Sequence, residues 1–302
     1  MELVTSVADF SAALDAHRAA GRSVGLVPTM GALHDGHASL IRRAGADCDV
    51  VAVTIFVNPL QFGPAEDFDA YPRTLDADLA VAGAAGASIV CAPSVAEMYP
   101  APVLTTVHVA GLTDTLEGAS RPSHFDGVAT VVAKLFSMAG RCRAYFGEKD
   151  YQQLAVVRRM AADLSMPVEV IGCPTVREPD GLALSSRNAY LSADERAAAP
   201  TLHAALRAGA AAVEAGETDP AAVRAAMGAV VATEPRLRLD YAEAVDAATL
   251  AVPARLAGEV RLLIAARLGA TRLIDNLGVT VPTSPTHGAT EPRKAGHACA
   301  GA

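Results

Sequence analysis

The segment Val27-Pro28-Thr29-Met30-Gly31-Ala32-Leu33-His34-Asp35-Gly36-His37 follows an apolar strand-like run and leads into a helix-like stretch, residues 38–44. A strand, a glycine-containing loop and a helix start in that order form an anion site, because unpaired backbone N–H groups and the positive end of the helix dipole both face the loop. His34 and His37 stand three residues apart, so one helical turn puts both imidazoles on the same side, and Gly36 between them lets a nucleotide approach closely. A lone histidine would read as an ordinary surface or core residue. The pair at a strand-to-helix junction favours phosphate binding. A zinc site would need further ligands at matching spacing, and no Cys or His pair elsewhere supplies them, so no metal ligand is assigned.

A second segment, Ala144-Tyr145-Phe146-Gly147-Glu148-Lys149-Asp150-Tyr151-Gln152-Gln153, repeats the strand, glycine turn and helix order. Lys149 at such a junction reaches a phosphate as a point charge, while Asp150 accepts from a ribose hydroxyl or holds the lysine. Taken alone, a charged turn capping a surface helix explains it as well. A third, polar segment runs from Pro174 through Val176 and Leu184 to Ser185-Ser186-Arg187-Asn188. Two adjacent hydroxyls and a guanidinium suit triphosphate oxygens, although interdomain linkers share that composition. The run Ile55-Phe56-Val57-Asn58-Pro59-Leu60-Gln61 ends a buried-type strand in amides, where open α/β sheets bind ligands. Asn58-Pro59 also suits a turn, and Gln61 has less reason to be there. Arg121, close before a helix start, suits a carboxylate.

The elements that must position these residues read as alternating strands and helices. Strand-like runs cover residues 23–27, 50–57, 87–91, 144–146 and 168–171, with apolar residues at helical spacing over 127–138 and 152–164. That rhythm predicts a parallel α/β sheet, and the nearly continuous apolar character of the runs predicts helices on both faces. Beyond about residue 187 the texture changes to Ala-rich helical stretches over 193–215 and 220–232, an alternating run over 237–245 and an apolar run over 260–266. The expectation is an α/β protein with a Rossmann-like domain over residues 1–176, a smaller α+β domain over 177–282 and a disordered tail over 283–302. No repeat of fixed period is present.

With 302 residues, 51% hydrophobic and 19% charged, the chain can bury a sizeable core. Its net charge of −8 argues against a general nucleic-acid binder, so a phosphate-bearing ligand must be held by a local basic site. No apolar run approaches the roughly 20 residues of a membrane span, and residues 1–10 lack the pattern of a secretory signal. Five scattered cysteines, at 48, 91, 142, 173 and 299, form neither a zinc pattern nor a disulfide framework, and a reducing cytoplasm fits them best.

Taken in order, these segments resemble the family of pantothenate synthetases (pantoate–β-alanine ligases). The match runs from about residue 23 to 276 and includes residues 28–37, 56–63, Tyr71-Pro72-Arg73-Thr74, 121–136, 146–154, 174–190 and 261–276. The resemblance implies a Rossmann-like domain holding ATP, a smaller carboxyl-terminal lid hinged near residues 176–188, and a homodimer. By position it puts Met30, Gly31, Ala32, Leu33, His34, Asp35, Gly36, His37, Gly147, Glu148, Lys149, Asp150, Val176, Leu184, Ser185, Ser186 and Arg187 along ATP. Gln61, Gln153 and Arg121 would hold pantoate, Gln61 also lying beside β-alanine. His37 matches a proton donor, with His34, Lys149 and Arg187 beside it in catalysis. Mg2+ would enter with ATP, Asp78 being an outer ligand. Leu184 stands where many members have Met, Ser123 where many have Gly, and Arg141-Cys142-Arg143 replaces a Pro-Asp approach to the strand.

The activity so implied is ATP-dependent joining of pantoate and β-alanine through an acyl adenylate. A nucleotidyl transferase that stops at a stable adenylylated product is the nearest alternative. A nucleotide-binding regulator without catalysis is the other, and the cationic and hydroxyl set argues against it.

Overall fold

The structure is a computed structural model and describes residues 1–63, 68–69 and 71–282. Six parallel strands make the larger sheet: β1 (Glu2–Val4), β2 (Val24–Thr29), β3 (Val50–Ile55), β4 (Ile89–Cys91), β5 (Cys142–Gly147) and β6 (Val168–Cys173). Helices α1 (Val7–Ala19), α2 (Asp35–Asp47) and α3 (Leu75–Ala85) connect the first four strands. The short turns α4 (Val95–Met98) and α5 (Glu117–Ser120) and the long α6 (His124–Ala139) lead to β5, and α7 (Tyr151–Asp163) leads to β6.

Side chains alternate across each strand, and both faces are covered, so the runs lack a polar phase. Val24, Leu26, Val50 and Ala52 enter one core with Phe10 of α1, Val132 of α6 and Leu154 of α7. Val27, Val51 and Val53 enter the other with Ile41 of α2 and Ala82 of α3.

The strand order is β1-β4-β3-β2-β5-β6. Strand β2 thus has β3 on one side and β5 on the other, and the chain winds away from it in both directions. The crevice of such a sheet opens at the carboxyl ends of the strands where winding reverses. Here those ends carry residues 30–37 after β2 and 147–150 after β5.

The rest of the chain packs α8 (Ala193–Ala198), α9 (Thr201–Glu214) and α10 (Pro220–Val231) on an antiparallel sheet of β7 (Leu237–Asp246), β8 (Glu259–Leu268) and β9 (Thr271–Thr280). Leu202, Leu206 and Val213 of α9, Val223 and Met227 of α10, and Leu262 and Ile264 of β8 share this second core. Val245, Leu250 and Leu263 instead join the first core. Across the same boundary Glu117 accepts from both arms of Arg272 at 2.6 and 2.8 Å and from the Tyr241 hydroxyl at 2.8 Å.

The strand and helix runs expected from sequence are present, with four differences, the first being that the expected last strand-like run, 260–266, is followed by a further strand, β9. The helix expected over 193–215 is two helices, because Pro200 has no N–H to continue the ladder. Strand β1 and helix α1 were not expected: only Phe10 and Leu14 of α1 are buried, too narrow a stripe to stand out. Helix α3, mostly small residues, was missed for the same reason. Arg141-Cys142-Arg143 leads into β5 without disturbing it; Arg143 pairs with Glu169 at 2.9 Å and donates to the Asp47 carbonyl at 3.1 Å. The tail expected to be disordered, 283–302, lies outside the described residues.

Candidate active site

His34 caps helix α2. Its Nδ1 accepts from the Gly36 N–H at 3.1 Å, while the His34 N–H donates to Nδ1 of His37 at 3.3 Å, a reciprocal capping box made of two imidazoles. A ring nitrogen that accepts carries no proton, so both protons sit on Nε2. Burial lowers the pKa of both rings, with further lowering at His37 from His34 and at both from Lys149, and His37 is pushed down to about 3. Both imidazoles are therefore neutral Nε2–H donors near pH 7. A Cβ on Gly36 would lie 2.8 Å from Cε1 of His34, so the glycine makes room for this ring.

The loop ahead of the helix is held from below. Gly31 and Ala32 both take positive φ, 89° and 50°. Buried Asp78 of α3 accepts from the Ala32 N–H at 3.2 Å and the Leu33 N–H at 2.7 Å. Gly31 N–H donates to Thr29 at 3.3 Å. The free backbone amides expected at this loop are therefore largely absent: the N–H groups of Gly31, Ala32, Leu33, His34 and Gly36 are all hydrogen-bonded inside the protein. Asp78, expected as an outer metal ligand, anchors this loop, a role that sequence spacing alone could not show because α3 comes under the loop only in the fold.

Lys149 and Asp150 follow β5 in a 3-10 turn, Glu148–Asp150, with Lys149 Nζ 3.3 Å from Asp150 Oδ1. Burial would raise the Asp150 pKa, but the charges of Lys149 and Arg187 outweigh it and hold the carboxyl low. Glu148 turns its carboxylate to Arg261 of β8 at 2.9 Å. Across from the turn, Leu184 N–H donates to the Val176 carbonyl at 3.0 Å, and the Ser185 hydroxyl caps the turn Ser186–Tyr190. A narrow cleft, enclosing a cavity of only about 20 Å³, is lined by Lys149, Ser185, Arg187, Asn188, Arg272 and Asp275.

Gln61, Gln153 and Arg121, expected at the smaller substrate, are not among the residues that line this cleft. Gln61 is buried, its Nε2 2.9 Å from Met30 Sδ. Arg121 donates to Nε2 of His124, whose Nδ1 donates to the Gln61 carbonyl at 2.9 Å. His124 also stands within electrostatic range of Asp150. Gln153 is half-buried on the first turn of α7. Its neighbour Gln152 is structural, donating to the Leu112 and Thr115 carbonyls and accepting from the Glu117 N–H. Asn58 proves to be the turn-former: it donates to Gln61 and the Gly127 carbonyl and accepts from Tyr99 and the Leu60 N–H. Helix α6 presses on this turn so closely that a Cβ on Gly127 would lie 2.2 Å from the Leu60 carbonyl oxygen.

The geometry thus gathers His34, His37, Lys149, Asp150 and Arg187 into one electrostatic neighbourhood over the switch point, with Gln61, Arg121 and His124 on its flank. Sequence reading gave no role to His124 or to the buried pair Asp275-Asn276, and a different one to Asp78. A signal that could have found the pair is two adjacent polar residues set between the apolar Ile274 and Leu277.

A doubly wound parallel sheet with a cationic cleft over its switch point defines a nucleotide-handling α/β protein. Comparison narrows this: residues 2–278 match the family model described as pantoate-beta-alanine ligase, and the chain belongs to that family. It is 52% identical over 281 residues to a pantothenate synthetase of Moorella thermoacetica, covering 93% of this chain and 99% of the relative. The crystal structure of pantothenate synthetase from Thermus thermophilus matches with a TM-score of 0.87 at 49% identity, over 93% of this chain and all of that one. The pantoate-beta-alanine ligase of Francisella tularensis, complexed with beta-gamma ATP and beta-alanine, matches with a TM-score of 0.75 at 32% identity, over 92% of this chain and 97% of that one.

Proposed function

We propose that the protein condenses pantoate with β-alanine using ATP, through a pantoyl adenylate, releasing AMP and pyrophosphate. The observation that carries the reading is the pair of neutral Nε2–H imidazoles beside Lys149 and Arg187 at the switch point. A carboxylate oxygen of pantoate attacks the α-phosphorus; the bond to the bridging oxygen breaks and pyrophosphate leaves with its electron pair. The neutral amine of β-alanine then attacks the acyl carbon, AMP leaves with the electron pair of the broken C–O bond, and the nitrogen passes one proton to solvent to reach the amide.

No enzyme nucleophile is required. The protein aligns two reactants and stabilises charge that grows on phosphate oxygens. Lys149 and Arg187 supply cations, and Ser185 and Ser186 supply hydroxyl donors. His34 and His37 supply hydrogen bonds. With its ring neutral, His37 donates a hydrogen bond in this reading, and the proton-donor role that the resemblance implies for it would require the bound phosphates to protonate the ring first. In this reading Met30 to His37, Gly147 to Asp150, Val176 and Leu184 to Arg187 line ATP, while Gln61, Gln153 and Arg121 hold pantoate.

Mg2+ would arrive with ATP and neutralise phosphate charge. Among the described residues no cluster of three or more His, Cys, Asp or Glu is placed to cage a metal, and Asp78 is committed to its loop. The ion would therefore take its ligands from phosphate and water, as magnesium with nucleotides commonly does.

The further parts of the reading are a division at about residue 176 into a nucleotide domain and a lid, a cytoplasmic location and a homodimer. A closing lid would keep water from the acyl adenylate. Free thiols at Cys48, Cys91, Cys142 and Cys173 suit a reducing compartment. Among the described residues no helix is long and apolar enough to cross a membrane. Sedimentation equilibrium tests the dimer.

The deciding experiment is exchange of labelled pyrophosphate into ATP with β-alanine omitted. Exchange that requires pantoate, followed by AMP and pantothenate once β-alanine is added, is the expected result. A folded, ATP-binding protein without exchange would overturn the reading.

A further inference from the structure

Asp275 and Asn276 sit side by side in the middle of β9, outside the parallel sheet, and both are buried, at 6% and 3% exposure. Asn276 spends its side-chain amide on two successive carbonyls, donating to Glu148 at 2.9 Å and Lys149 at 2.7 Å. Asp275 is engaged with the other loop. It accepts from both arms of Arg177 at 2.6 and 2.9 Å, and from the Asn276 N–H at 2.7 Å. Arg177 donates in addition to the carbonyls of Gly181 at 3.0 Å and Asn276 at 3.2 Å. Arg177 also bridges to Ala183, and Val176 before it receives the Leu184 N–H.

Two residues thus grip two loops. One side fixes the backbone that carries Lys149; the other fixes the base of the loop that carries Ser185, Ser186 and Arg187. We propose that Asp275-Asn276 is a positioning clamp, setting the separation at which the Lys149 turn and the Ser185–Arg187 loop meet one polyphosphate. This rests on the adenylating site described above.

Chemistry favours this over a simple adhesive role. Burying a carboxylate against a guanidinium is seldom better for stability than apolar packing of the same volume. The bidentate geometry instead restricts direction and distance, and an amide donating to two adjacent carbonyls fixes a turn's orientation. A displacement of about 1 Å in such a site can cost on the order of 100-fold in rate.

The test uses the full-length protein and three variants: Asn276→Ala, Asn276→Ser, which keeps at most one of the two bonds, and Tyr241→Phe. The last removes a hydrogen bond to Glu117 at the same boundary between the sheets but holds neither loop. Thermal melting establishes that each is folded at the assay temperature. Pantoate-dependent pyrophosphate exchange then gives kcat and KM, and calorimetry with a non-hydrolysable ATP analogue gives Kd.

The clamp predicts that kcat falls about 100-fold in Asn276→Ala and less in Asn276→Ser, with the KM for pantoate within about twofold of wild type. It also predicts weakened analogue binding in both, while Tyr241→Phe changes kcat little. Unchanged kcat and Kd in the folded Asn276 variants, or equal loss of kcat in Tyr241→Phe, would overturn it. If wild type shows no exchange, the functional reading fails by itself, and the Kd comparison still decides the clamp. If Asn276→Ala does not fold, Asn276→Ser carries the comparison.

Discussion

The backbone N–H of His34 donates to Nδ1 of His37 at 3.3 Å, so one bond sets both the helix cap and the Nε2–H tautomer of His37. Burial, then the neighbouring His34 ring and Lys149, hold His37 at about 3 against an ordinary value of 6.5. Between pH 6.5 and 3 the unfolded chain binds a proton at this residue that the native state refuses. The unfolded state gains the proton, so this contribution to stability is complete above pH 6.5 and declines as pH falls toward 3. Long-range nitrogen–proton NMR should show His37 as the Nε2–H tautomer, without titration from about pH 8 to about 5. A midpoint near 6.5 would contradict the arrangement.

Asp78 accepts from two amides of a loop whose Gly31 and Ala32 lie at positive φ. Asp78→Asn keeps the shape but replaces one acceptor with a donor that faces an N–H. With hydrogen bonds to a buried charge contributing about 1.5–3 kcal/mol, we expect a stability loss of that order in urea unfolding. Exchange activity should fall by more than the unfolded fraction accounts for, because the loop carries His34. Wild-type activity in the folded variant would mean that the loop holds itself.

The Lys149 ammonium, with 17% of its side chain exposed, lies 3.3 Å from Asp150 Oδ1, so its removal should cost the fold about 1–3 kcal/mol. Its loss from the cleft is another matter. Lys149→Ala should lower pantoate-dependent exchange about 100-fold to 1000-fold, the range seen when one aligned transition-state donor is deleted. His37→Ala should behave alike. Full activity in either purified variant would remove that residue from the chemistry.

Much of this site was legible because its residues are local in sequence. The strand, glycine loop and paired histidines announce themselves within residues 27–37, and Lys149 within the same pattern after β5. What could not be read is what supports them from far along the chain. Asp78 lies 45 residues from the Leu33 amide it holds, and Asn276 lies 127 from the Lys149 carbonyl. Their side chains look like helix-surface and strand-edge polars until the fold buries them. The free backbone amides inferred for the loop were a general property of helix starts, overridden here by an imidazole cap and a carboxylate from another element. In the second half, Pro200 was visible as a breaker, but the Ala-rich composition on both sides concealed its effect.

Glu117 and Arg272 join the two sheets through paired bonds of 2.6 and 2.8 Å, with side-chain exposures of only 10% and 16%. Burial alone would lower the Arg272 pKa; the hydrogen bonds and charge of Glu117 more than reverse it. Burial and the Glu117 charge together raise the Tyr241 hydroxyl, so it remains a donor to the carboxylate. Arg272→Met would leave Glu117 buried with the tyrosine but without its cation, at a cost of about 3–5 kcal/mol. Glu117→Gln keeps the shape and leaves Arg272 its bond to Asp240 at 2.7 Å, so it should cost less. The double variant, with neither charge stranded, should be more stable than the sum of the single losses by about 1–3 kcal/mol. Urea unfolding of all four proteins at about pH 7 measures this coupling. Additive losses would show that the contact across the sheets is held by the apolar residues around it, Val245, Leu250 and Leu263, and that the ion pair only accompanies them.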